Sequence, residues 1–174
     1  MTNKLRVILA LSLSIAAAGC GGNDPLNVFE NDPGPPTIQA PVASTAVSNN
    51  PTLSTQYNSS TLSFVFGLTG GTFSAFAPAR GLITAIEISN TGYLLTIVYN
   101  AQYSVKVGQL ISTNRRVGDF VEAGSEIGTV AGDGIHKPLL QMIANGSSVC
   151  PLSYFDATGL QIVINTGLTQ PCGP

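Results

Sequence analysis

Residues 115–132 read RRVGDFVEAGSEIGTVAG, and they restrict what the chain can fold into more than any other stretch. Val117, Phe120, Val121, Ile127 and Val130 form short apolar runs, cut by Gly118, Gly124, Gly128 and Gly132. Runs this short, closed by Gly-Asp and Ala-Gly pairs, read as short strands joined by tight turns. Glycine reaches the positive φ that such turns need.

Similar runs recur at 62–66, 82–88, 93–99, 103–107, 126–130, 139–144 and 160–164, rich in Ile, Val, Leu, Thr and Tyr. Turn signals separate them at Gly70-Gly71, Asn90-Thr91-Gly92, Gly118-Asp119 and Asn145-Gly146. No long amphipathic helical period follows the first apolar segment. The spacing predicts an all-β domain, a small barrel or sandwich of short antiparallel strands. Residues 61–174 suffice for one compact core.

The start of the chain has another character. Lys4 and Arg6 precede an apolar segment from Leu5 to Ala18, which ends in Ala17-Ala18-Gly19-Cys20. That is too short to span a bilayer, which takes about 20 apolar residues. It fits a secretory leader over residues 1–19. A cysteine directly after Ala-Gly resembles a bacterial lipobox, which implies acylation of Cys20 and a lipid anchor in place of a membrane helix. By the same resemblance, Gly21 implies sorting to the outer membrane, facing the periplasm. Residues 20–60 hold Pro25, Pro33, Pro35, Pro36, Pro41 and Pro51 among Asn, Ser, Thr and Ala. They read as a flexible tether with a reach of roughly 35 Å.

Charged residues make up only 9% of the chain, and losing Lys4 and Arg6 with the leader shifts the formal net charge from -2 to -4. Nucleic acid is therefore not an expected partner, since it asks for a basic stripe. Arg115-Arg116 reads as a solvated turn. Export leads to an oxidising compartment. With Cys20 acylated, Cys150 and Cys172 remain as a candidate disulfide, worth roughly 3 kcal/mol in the chain-entropy model. The alternative is two buried free thiols.

Three pieces stand in a fixed order. They are Ala77-Pro78-Ala79-Arg80-Gly81-Leu82-Ile83, the 115–132 stretch, and Asn145-Gly146-Ser147-Ser148-Val149-Cys150-Pro151-Leu152-Ser153-Tyr154. Together they resemble the lysostaphin/LytM-type peptidoglycan zinc endopeptidases. That family has an AP-x-x-G-x-V strand start, a V-x-x-G-D-x-V-x-x-G-x-x-I-G hairpin and an N-G-x-x-V-x-P-x-x-Y ending. The resemblance covers roughly residues 64–155 and implies a duplicated hybrid motif fold, a barrel-sandwich hybrid.

It also implies a zinc site made by a His, an Asp four residues later and the last His of an H-x-H, with two further histidines assisting. Counting along the motifs puts the first pair near Leu62 and Phe66, the assisting histidine at Gln109, and the H-x-H at Lys137-Pro138-Leu139. No Asp or His occurs between Asp32 and Asp119. Lysine and leucine cannot replace imidazole on zinc, and a hydrolytic site needs three convergent protein ligands. No catalytic residue, metal ligand or cofactor is therefore assigned.

His136 is the only histidine, close enough to Asp133 to hydrogen-bond and reading as a loop residue. No G-x-S-x-G elbow or phosphate-binding loop occurs. Biotinyl and lipoyl carriers share some of these pieces, but Lys106 sits between Val105 and Val107 in a strand pattern, unlike their modified lysine.

The reading is a non-catalytic, LytM-like envelope lipoprotein that binds or regulates peptidoglycan or the cell-wall hydrolase machinery. Its rivals are an endopeptidase with unconventional ligands and a structural envelope lipoprotein that binds a protein partner. Arg80, Tyr99, Tyr103 and Gln109 are exposed candidates for contact, without an assigned role.

Overall fold

The computed structural model describes residues 34–43, 54–165 and 172; the leader and Cys20 lie outside them. In chain order the strands are β1 (Ser54–Asn58), β2 (Ser63–Gly67), β3 (Thr69–Phe76), β4 (Gly81–Ser89), β5 (Gly92–Val98), β6 (Tyr103–Leu110), β7 (Phe120–Val121), β8 (Glu126–Asp133), β9 (Leu139–Ala144) and β10 (Ser147–Val149). A 3-10 turn (Pro151–Tyr154) and one helix, α1 (Ala157–Asn165), follow.

The large antiparallel sheet runs β1-β2-β9-β6-β5-β4-β7, with β10 folded back on β9. Asn145 and Gly146, both at positive φ, turn β9 into β10, as a two-residue hairpin requires. β3 and β8 pair separately. This is the all-β architecture that the strand spacing predicts.

Period-2 alternation builds the core. Phe64 and Phe66, Leu95 and Ile97, Val105 and Val107, and Leu140 and Met142 are all fully buried on one face of the large sheet. They belong to one cluster with Ala75, Ile127 and Val130 of the small sheet. Each such side chain contributes about 1.5–3 kcal/mol by leaving water.

Three expectations are corrected. Residues 160–164 are helical, within α1. A short apolar run does not distinguish strand from helix by period, and here Ile162 and Val163 are buried while Ile164 is exposed. Asp156 starts the helix by accepting the Gly159 N–H through Oδ1 at 2.6 Å, the usual capping contact. Gly70-Gly71 does not form a turn. Both glycines lie inside β3 at positive φ, where the register against β8 shifts between Thr69 and Thr72; this is a bulge.

The third correction is the boundary at residue 61. Residues 54–58 are an edge strand, and residues 34–43 are a strap built into the domain. Ile38 donates its N–H to the Tyr154 carbonyl and accepts from Asp156 N–H, while Gln39 donates to Pro78 O and Pro41 O accepts from Phe76 N–H. Ile38, Ala40 and Val42 are buried. The prolines that suggested a tether are compatible with an extended strap held by its neighbours, because proline keeps its carbonyl acceptor.

Cys150 and Cys172 are drawn together as a disulfide, with Cα atoms 5.9 Å apart. Unfolding the unreduced chain in alkylating reagent is expected to leave both unmodified, as peptide mapping would show. Two labelled cysteines would mean that the chain lacks the bridge.

Candidate functional site

The alternation that buries one face of the large sheet leaves the other open. Leu139, Gln141 and Ile143 of β9, Ser104 and Lys106 of β6, and Leu94, Thr96 and Val98 of β5 are all half-buried between core-facing neighbours. At one end of this face is a depression of about 220 Å³, lined by Thr61, Ser89, Thr91, Gly92, Leu94, Gly108, Gln109, Leu139 and Gln141. Two expected positions therefore meet there, Gln109 and Leu139.

Gln109 takes a positive φ of 60°, and its Oε1 accepts the Lys137 N–H at 2.8 Å. That contact ties the end of β6 to the approach to β9. Gln141 donates through Nε2 to the Thr61 carbonyl at 2.7 Å and to Ser148 Oγ at 2.9 Å. The first-pair positions fare differently. Phe66 is fully buried in the core, and Leu62 lies in the β1–β2 turn beside Thr61 at a φ of 50°. The strand leading directly into Ala77-Pro78 is β3, TGGTFSAF, which carries neither His nor Asp. Gln141 and Thr61 were missed by sequence reasoning; Gln141 could have been found as the next residue on the Leu139 face of a strand.

The fold family's zinc does not fit this lining. Its donors are hydroxyls and carboxamides, with no imidazole, carboxylate or thiolate among them. Among the described residues, no three His, Cys, Asp or Glu side chains converge as a metal site would need.

His136 stands outside the depression. Its Nδ1 lies 2.6 Å from Asp133 Oδ2, and Asp133 Oδ1 accepts the N–H groups of Ile135 and His136, each at 2.8 Å. The pair closes the loop after β8. The His136 side chain, then the His136 and Ile135 amides, hold the Asp133 carboxyl down to about 2 from 3.8. A depressed carboxylate pKa means that this loop order is complete above about pH 4 and is lost as pH falls through about 2. Carboxyl NMR is expected to place the Asp133 midpoint near 2, with the Ile135 and His136 amides moving in the same window. A midpoint near 3.8 would contradict it.

The remaining contact candidates do not gather here. Arg80 stacks over the Tyr99 ring at 5.5 Å, and both line another depression with Pro35, Thr37 and Glu122. Tyr103 packs against the core, its ring 6.2 Å from that of Tyr154. All four candidates, expected to be exposed, are half-buried. Arg115, read as solvated, donates twice to the Glu126 carbonyl.

The large sheet, its β3–β8 companion and the open face define a LytM-like β-domain. A Pseudomonas aeruginosa protein assigned to peptidase M23 shares this fold at 18% identity and a TM-score of 0.56, over 74% of this chain and 54% of its own. Helicobacter pylori Csd3 matches at 17% and 0.56, over 71% of this chain and 34% of its own. A chain of the SpoIIQ-SpoIIIAH pore forming complex matches at 17% and 0.54, over 78% of this chain and all of its own. This chain thus spans about half the length of the first protein and a third of the second. No protein-family model and no curated sequence matches the chain.

Proposed function

We propose that the chain is a non-catalytic, LytM-like envelope lipoprotein that binds or regulates cell-wall hydrolase machinery or the wall itself. The observation that carries this reading is the lining of the depression. Gln109 and Leu139 stand where the family resemblance calls for histidines, and their neighbours are neutral. A site without deprotonable ligands has nothing to generate a hydroxide at neutral pH, whereas an open half-apolar sheet face suits binding.

Recognition of a protein partner is supported by one neighbour of the same fold, which comes from a two-protein assembly. Acylation of Cys20 would hold the domain at the outer membrane, facing the periplasm. Residues 34–43 are packed into the domain, so only residues 21–33 separate the anchor from it. Those residues reach roughly 50 Å at most when fully extended.

The test compares the wild-type chain with Cys20→Ser in its own envelope. Palmitate labelling of the wild type alone is expected. Adding the purified acylated chain to an envelope extract from a strain lacking it should change the rate of wall digestion, or the chain should sediment with purified walls. Failure of both, with a folded chain, would contradict the reading.

A further inference from the structure

We propose that the open sheet face is a docking trough for an extended segment of a partner protein that places a carboxylate on Lys106. The inference rests on the reading of the chain as a partner-binding module, and it names the chemistry that the module recognises.

Lys106 is central to the face. The β6 register sets it opposite Thr96 on one side and Gln141 on the other, and cross-strand partners share a face. Among the described residues, the Lys106 side chain has no ion-pair or hydrogen-bond partner. Lys106 is half-buried as a residue and stands beside a hydroxyl and a carboxamide with no anion opposite it, so a carboxylate arriving there gains a charge-assisted contact.

The surroundings set the register of the occupant. Along β6, Lys106 is flanked by Gly108 and Ser104, both small, whereas the neighbouring strands carry Leu139 and Ile143, and Leu94 and Val98. The small residues form a floor and the aliphatic ones form two walls. At the Gly108 end, a Cβ on that residue would come within 2.8 Å of Leu94 Cδ1 and 3.6 Å of Leu139 Cβ. These two leucines flank the 220 Å³ depression. Depression and Lys106 are two strand residues apart, roughly 6.8 Å.

A chain lying along the trough directs alternate side chains downward at that same spacing. The occupant is therefore an extended segment with an apolar residue and an Asp or Glu two positions apart. A glycan strand is a poorer fit, because Tyr93, Tyr99, Tyr103 and Tyr154 all pack against the core instead of offering a ring to the trough.

The experiment uses the acylated full-length chain in native envelopes. A carbodiimide joins an amine to a carboxylate only at contact, and mass spectrometry then maps what is attached to Lys106. The expected product is an amide between Lys106 and an Asp or Glu of another protein, with an apolar residue two positions from the acid. In detergent extracts the complex should survive Lys106→Arg, which keeps the charge. It should weaken at least tenfold in Lys106→Gln and further in Lys106→Glu, each shown to be folded by its melting curve.

A muropeptide carboxylate on Lys106 would overturn the proposal in favour of the wall. An intact complex in Lys106→Gln would overturn it while leaving the partner-binding function standing. A wild-type chain that migrates alone and does not alter wall digestion would overturn both.

Discussion

Gly128→Ala is expected to lower stability by about 2–6 kcal/mol, the sum of overpacking and backbone strain at one position. Gly128 sits in β8 at a φ of 156°, and a Cβ there would stand 2.1 Å from the Ser112 carbonyl oxygen. That oxygen accepts the Thr129 N–H, and the Ser112 and Thr129 hydroxyls are 2.6 Å apart. The obstacle is backbone already fixed by its own hydrogen bonds, so it has little room to move. Gly118→Ala is the control, because a Cβ there meets nothing within 4 Å and only the φ of 95° is unfavourable; its cost should stay near 1–2 kcal/mol. Urea denaturation of both variants measures the difference. Equal midpoints would mean that the close approach of β8 to Ser112 is wrong.

Ile38→Ala should cost about 2–5 kcal/mol, the range for truncating a fully buried aliphatic residue. Ile38 is 0% exposed and lies within the strap that backbone bonds to Tyr154 of the 3-10 turn and to Asp156 hold in place. Were residues 20–60 only a tether, the substitution would change nothing measurable. Ile88→Ala removes the same atoms from a side chain that is 75% exposed, and should stay within about 0.5 kcal/mol. The pair of denaturation midpoints therefore locates the start of the folded domain.

The fold was legible where glycine and hydrophobic alternation agree. Val105 and Val107, or Leu140 and Met142, announce a strand face without outside help, and Asn145-Gly146 announces the turn between β9 and β10. Legibility failed where local pattern and tertiary context diverge. The proline-rich run around Ile38 lacks any period of its own and is ordered by bonds to Tyr154, Pro78 and Phe76, which are distant in sequence. The run at 160–164 carried no decisive period, and the informative residue was Asp156, a cap in front of it. At the candidate site, motif counting identified Gln109 and Leu139. It could not show that Gln141 and Thr61 meet them, because β2 pairs with β9 only in three dimensions. Lys106 looked like an incidental strand lysine until its cross-strand neighbours were known.

The central claim is that the domain keeps a LytM-like fold without the metal chemistry associated with it. Elemental analysis of the purified, zinc-supplemented chain, run beside muropeptide digestion by the same sample, tests it most directly. The account predicts zinc well below one equivalent after gel filtration and no cleavage of cross-linked muropeptides. It also predicts that Leu139→His alone restores neither, since Thr61, Gln109 and Gln141 still offer no second ligand. Stoichiometric zinc with chelator-sensitive cleavage by the wild-type chain would contradict it.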